Sequence, residues 1–310
     1  MAKRPQLRDD FDSPWKEALQ LYLPAFLSLC WPNVHTEIDW SRGYQSLDKE
    51  FQRILRRAKL GKRIADKLFK VWLKDGIECW VLVHVEVQGY VDQEFPKRMF
   101  EYHVAIRQMY NQDVVSLAIL CDDQPDWRPH QFAFARWGCS IDFRFPIVKL
   151  LDFARRKAEL EASDNPIAAV VVAHLETLET RHDLAERKDR KLQLAKALLQ
   201  RNWSKDDVRE VLRLIDWLMT LPDDLHDQFL TEIHEFEKEA AVPFVPSYER
   251  AALKKGLLEG IDILLDLRFG AKGRKLMPVV KTIEDPDELR KLARFLKKAQ
   301  TLDEVRAYLK

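Results

Sequence analysis

The chain has 310 residues, 46% of them hydrophobic and 33% charged, which is enough apolar material for a sizeable core and length enough for two or three domains. A net charge of +1 sets up no global field, so a nucleic-acid or membrane partner has to be argued from local clustering. Four scattered cysteines without a C-x-x-C pair argue against a disulfide scaffold or a zinc site, and "MAKRPQLRDDFDSPW" has no apolar signal core, so the expectation is a reduced, cytoplasmic protein with no membrane partner.

Ser13 before Pro14 is a helix start, a hydroxyl cap followed by a proline whose missing N–H costs nothing there; the helix should run from about Trp15 towards Cys30. The apolar stretch from Ala18 to Trp31 is too short and interrupted to span a bilayer. A second helix is expected over 46–59, where Leu47, Phe51, Ile54, Leu55 and Ala58 mark one stripe. "RIADKLFKVWL" and "CWVLVHVEVQ" are rich in β-branched and aromatic residues and flank "KDGIE", which predicts an antiparallel hairpin turning at Asp75-Gly76. A helix over 96–110 follows, then the buried strand "VVSLAIL", the turn residues "CDDQPDWRP", and two strand-like pieces, "FAFARWG" and "IDFRFPIVKL". Past Leu151 the pattern is helical, with starts at Asn165-Pro166 and Ser204 and a stop at Pro222; "AVPFVPS" (241–247) reads as a linker before a last helical segment.

The chemistry concentrates in the hairpin. Strand alternation sets Val81, Val83, Val85 and Val87 on one face and Leu82, His84, Glu86 and Gln88 on the other. Asp66 lies in the apolar run of the preceding strand, as far from the turn as Glu86, so the two acids should meet at one end of the sheet. Two converging carboxylates repel unless a cation lies between them, and a hard ion such as Mg²⁺ (or Mn²⁺) suits them. Glu50, at the edge of its helix's stripe, is a third acid; Asp48 is the weaker candidate. Arg53, Arg56, Arg57, Lys59, Lys62, Arg63, Lys67, Lys70 and Lys74 form a basic band in which Asp66 is the sole acid, the setting an anionic phosphodiester needs.

Plainer readings stand beside these. A basic helix face is usually solvated, and a lone acid in a strand is usually ion-paired. His84 could touch a ligand or be a hydrogen-bonded core histidine. His226 and His234 lack metal-ligand spacing, Asp122 and Asp123 are explained by a turn, and Trp203 and Trp217 are expected in the core.

The order of these pieces (helix with Glu, strand with Asp, strand with Glu-x-Gln, helix, strand) resembles the restriction-endonuclease-like, PD-(D/E)XK, superfamily. "DSPWKEAL" (12–19), "EIDWSRGYQSLDKE" (37–50), "ADKLFKVWL" (65–73) and "HVEVQG" (84–89), with "WGCSIDFRFPIVKLLDF" (137–153) and "ASDNPIA" (162–168) in support, look more specifically like the Rpn group of recombination-promoting nucleases, once labelled transposases. The resemblance implies metal ligation by Asp66 and Glu86, a supporting role for Glu50, and Gln88 where the superfamily usually carries lysine. Glutamine can place a water but supplies no charge. Lys70 is about 13 Å along its strand from Asp66, and Lys67 should face the other way.

The expected architecture is α/β: a restriction-endonuclease-like core, a mixed central sheet flanked by helices, over 1–150, then an all-helical region in two parts, 151–245 and 246–310. The expected function is a Mg²⁺-dependent DNA endonuclease with little sequence preference, holding DNA through Arg53, Arg56, Arg57, Lys62, Arg63, Lys67 and Lys70. The alternative is an inactive DNA-binding or protein-interaction module on a nuclease fold. The amphipathic helices could carry homodimer contacts.

Overall fold

The structure is a computed structural model that describes residues 12–57, 66–86, 92–112, 114–240, 247–283, 286–297, 299 and 301–309; at 12–13, 50, 54–57, 66, 82–86, 237–240, 247–255 and 286–288 the backbone alone is described. The chain divides into two compact units, Met1–Phe236 and Glu237–Lys310. The first is mixed α/β and the second helical among the described residues.

The first unit is built on a five-stranded sheet of order β1 (Gln45–Ser46), β2 (Asp66–Trp72), β3 (Glu78–Glu86), β4 (Val114–Leu120) and β7 (Ile147–Lys149). β1, β2 and β3 pair antiparallel, as the Asp-Gly turn predicts, with Gly76 at φ 90°. β3, β4 and β7 are parallel, with α4 (Phe95–Tyr110) crossing over from β3 to β4. The remaining two strands, β5 (Gln131–Arg136) and β6 (Cys139–Arg144), leave the sheet as a separate antiparallel ribbon.

One face of the sheet packs on α3 (Asp48–Arg57) and α4: Leu68, Trp80 and Val114 share a core with Phe51, Tyr102, Ala105 and Ile106. Next to it Ala118 and Leu120 pack with Phe95, Met99 and Phe145. On the other face α1 (Asp12–Cys30) packs against β2 and β3, and α6 (Pro166–Glu179) packs on α1. Trp15 meets the His174 ring edge-on at 6.1 Å, and His174 Nε2 lies 3.0 Å from the Cys121 carbonyl at the end of β4. Burying Ile167 to Thr177 without a break makes α6 an interior helix rather than an amphipathic one.

α1 bends at Tyr22, two residues before Pro24, which has no N–H for the Gln20 carbonyl one turn back. Tyr44 Oη donates to that carbonyl instead, at 3.1 Å. The kink thereby ties the helix to the chain entering β1. A short helix α2 (Pro32–Glu37), absent from the sequence reading, follows directly.

Two helix starts come where caps were expected, whereas α1 begins at Asp12, ahead of the expected Ser13 cap. Asn165 Oδ1 accepts from Ile167 N at 2.8 Å, and Ser204 Oγ from Asp207 N at 3.0 Å, opening α8 (Lys205–Leu218). Asn165 Nδ2 also donates to the Ala25 carbonyl at 2.8 Å, and Arg213 of α8 grips Glu17 of α1 through two bonds of 2.6 and 2.9 Å. These contacts join the segments expected as 1–150 and 151–245 within the first unit, because α6 and α8 complete the layer that α1 begins. α5 (Lys157–Glu161), α7 (Leu184–Leu199) and α9 (Asp223–Ala240) complete the helices up to residue 240. Trp217 is 37% exposed rather than in the core.

The second unit holds α10 (Ser247–Arg274), α11 (Met277–Val280), α12 (Pro286–Leu296) and α13 (Leu302–Tyr308) around Ile261, Leu265, Val280, Leu289, Leu292 and Leu296. Most of the expected linker, 241–246, lies outside the described residues. Among the described residues no helix is long and apolar enough to cross a membrane.

Candidate functional site

The hairpin register pairs Asp66 with His84, and Glu86 lies two residues further along β3. Partners in a ladder share a face, and so do residues two apart, so Asp66, His84 and Glu86 stand together on the face that α3 and α4 cover. Asp66 and Glu86 are therefore diagonal neighbours, a relation that spans about 7–8 Å. The expectation of a shared sheet end is met in backbone terms, with an offset of one ladder step.

The location matters as much as the pairing. Glu86 closes β3, Leu120 closes β4 and Lys149 closes β7, and the three are in register across the parallel half of the sheet. Asp66 opens the antiparallel strand beside them. All lie at the carboxyl end of the parallel strands, where open α/β sheets bind ligands. Two carboxylates on one face there are hard oxygen donors of the kind Mg²⁺ takes. Glu50 stands in the first turn of α3, which contacts β2. Gln88, Lys62 and Arg63 lie outside the described residues. Among the described residues no three His, Cys, Asp or Glu side chains stand together as a metal site; the side chains of Glu50, Asp66 and Glu86 are not among those described.

The basic band is only partly a surface. Arg53 is exposed, and Arg56 and Arg57 occupy the last turn of α3. Lys67 is 9% exposed, and its ammonium is held by Asp48 Oδ2 at 2.5 Å and Gln20 Oε1 at 2.9 Å, on the face away from Asp66. Lys70 is half-buried, 3.5 Å from Glu78 and 5.3 Å from the centre of the Trp72 ring. Both lysines are committed to the fold, so neither offers a free cation to a polyanion.

A group that the sequence reading passed over stands at the same sheet end. Lys149 Nζ donates to Asp122 Oδ1 at 2.5 Å, both side chains being fully buried. Lys149 also reaches the Trp127 carbonyl at 3.3 Å and lies 5.6 Å from that indole's centre. Asp122 Oδ1 accepts from Gln124 N at 2.9 Å as well, so the turn expected at Asp122 is there. Its Oδ2 is buried without a hydrogen-bond partner. The signal was present: Lys149 is the one cation inside "FPIVKLLDF", as Asp66 and Glu86 are single acids in apolar runs.

Around this pair the surface acids are neutralised. The Arg181 guanidinium, 2.6 Å from Asp123, holds that carboxyl below the usual carboxylate range, and Arg128 does the same for Asp152 through bonds of 2.6 and 2.8 Å. Beneath, burial pushes the His174 imidazole down to about 4 against a smaller upward pull from the Cys121 carbonyl, so His174 is neutral near pH 7. No family model, curated protein or solved structure matches the chain.

Proposed function

We propose that the chain is a divalent-metal-dependent DNA endonuclease with a restriction-endonuclease-like core, related to the Rpn group, in which Asp66 and Glu86 hold the ion. The observation that carries this reading is the register: Asp66, which opens β2, and Glu86, which closes β3, stand one ladder step apart on one face at the carboxyl end of the parallel strands. Two carboxylates brought that close repel each other unless a cation lies between them.

When bound, a hard divalent ion would activate a water and stabilise charge on a phosphodiester oxygen. The chain's own part is to present oxygen donors from two adjacent strands, whose pairing fixes their separation before any ligand arrives. In this reading Glu50, on the helix beside β2, holds or orients that shell, and Gln88, where the superfamily usually has lysine, positions the attacking water by hydrogen bonding.

The test is nicking of supercoiled plasmid with Mg²⁺, Mn²⁺ or EDTA, comparing the wild type with Asp66→Ala and Glu86→Ala. Metal-dependent nicking lost in both variants is expected. Equal residual nicking in all three would mark a contaminant and remove the reading.

One observation favours a second reading, the non-cleaving DNA-binding or protein-interaction module. Lys67, Lys70 and Lys149 are each engaged by an internal acid, and Gln88 carries no charge, so the usual lysine role has no free described occupant among them. Salt-sensitive DNA binding without cleavage in any metal would select it.

A further inference from the structure

The β5–β6 ribbon stands apart from every other described strand. Its base is packed: Phe132 stacks on Phe100 of α4 at 5.0 Å, and Phe143 lies 5.7 Å from Phe100 and 5.0 Å from His103. Its outer half is not. The register pairs Phe134 with Ile141 and Arg136 with Cys139 on the same face as Phe132 and Phe143, so the apolar face that begins in the core continues outward. Phe134 is 48% exposed and Ile141 36%. The opposite face carries Ala133, Ala135 and Ser140, which are too small to need cover.

The tip is the sharper anomaly. A two-residue hairpin turn needs φ above zero at both central positions, and Asn-Gly or Gly-Gly normally fills them. Here they are Trp137 at φ 52° and Gly138 at φ 83°. A bulky side chain disfavours that conformation, and Trp137 gains no burial in return, being 93% exposed. Folding alone therefore does not select tryptophan at this position. The Arg136 guanidinium lies over the indole, 4.5 Å from its centre.

The charge of the ribbon indicates what it meets. Its one acid, Asp142, is taken up by Arg144 at 3.0 Å and by Gln131 at 2.8 Å. Arg136 has no acidic partner among the described residues and faces solvent, so the tip presents a flat aromatic ring and one uncompensated positive charge. A two-stranded ribbon fits the major groove of B-DNA, about 12 Å wide, and a guanidinium at its tip can pair with a phosphate or bidentately with a guanine edge. We infer that the β5–β6 ribbon is a DNA-contacting arm, with Arg136 and Trp137 at its tip engaging duplex DNA. This rests on the nuclease reading for the choice of partner but not on its metal chemistry.

The experiment measures affinity for a fluorescent 30-base-pair duplex across a salt series, with wild type, Trp137→Asn and Arg136→Gln. Asparagine suits the turn, so Trp137→Asn should melt at or above the wild-type temperature. It should also bind duplex about tenfold more weakly, equivalent to about 1.4 kcal/mol. Arg136→Gln should lower the slope of log affinity on log salt by about one. Unchanged affinity and slope in both tip variants would overturn the inference, as would a tip variant that changes the light-scattering mass but not DNA binding, since the ribbon would then join two copies. Tip-dependent binding by a wild type that cleaves in no metal would sustain the arm and defeat the catalytic reading. A wild type that binds no duplex even at low salt would defeat both.

Discussion

The five-stranded sheet and the β5–β6 ribbon are written in similar residues and end in opposite circumstances. "VVSLAIL" becomes β4, buried at all but one position, with α4 packed on one of its faces. "FAFAR" becomes β5, half-exposed at its base and exposed beyond. The difference is coverage. At the sheet's carboxyl end a charged pair is fully enclosed; at the ribbon's tip a tryptophan is almost fully open. Energy stored in the first is recoverable only as stability, while the apolar surface of the second is available to a partner.

The largest effect should come from splitting the enclosed pair. Lys149→Met leaves the Asp122 carboxylate buried and uncompensated, which costs about 3–5 kcal/mol. Combining it with Asp122→Asn should recover most of that loss. Urea midpoints at constant slope read both, and a single variant within about 1 kcal/mol of wild type would show that the pair is not sealed.

A middle-sized effect is written in pH. His174 titrates near 4 in the fold and near 6.5 in an unfolded chain. As pH falls, the unfolded chain takes up that proton first. Stability is therefore fully present above about 6.5 and drains away down to about 4, by about 3 kcal/mol. His174→Gln should remove that part of the slope; if acid unfolding is equally steep in the variant, the histidine is not responsible.

The smallest effect belongs to the ribbon. Phe134→Ser should cost about 1 kcal/mol or less, since half of that side chain already faces water. A loss of 3 kcal/mol would mean that the outer face is covered in solution and would erase the contrast between the two regions.

The hairpin, its Asp-Gly turn, the capped starts of α6 and α8 and the buried β4 were legible because each depends on near neighbours in the chain. So was the placing of Asp66 and Glu86 on one face, which follows from strand period and turn position. Their ladder offset was not, because it depends on how many residues the turn consumes. The kink at Tyr22 was foreshadowed by Pro24, but its repair by Tyr44 joins residues 20 and 44 and has no local mark.

By itself the sequence determined the hairpin, the helix that follows it and the buried strand β4, and it named the acids of the candidate site and the resemblance that suggests their chemistry, since periodicity and capping act within a few residues. Only the tertiary structure decided that Lys67 turns to Gln20 and Asp48, that Asp122 and Lys149 close on each other, and that β5 and β6 leave the sheet while β7 joins it. Each of those outcomes depends on which surface is covered by a distant segment, and burial is a property of the packed chain rather than of any stretch of it.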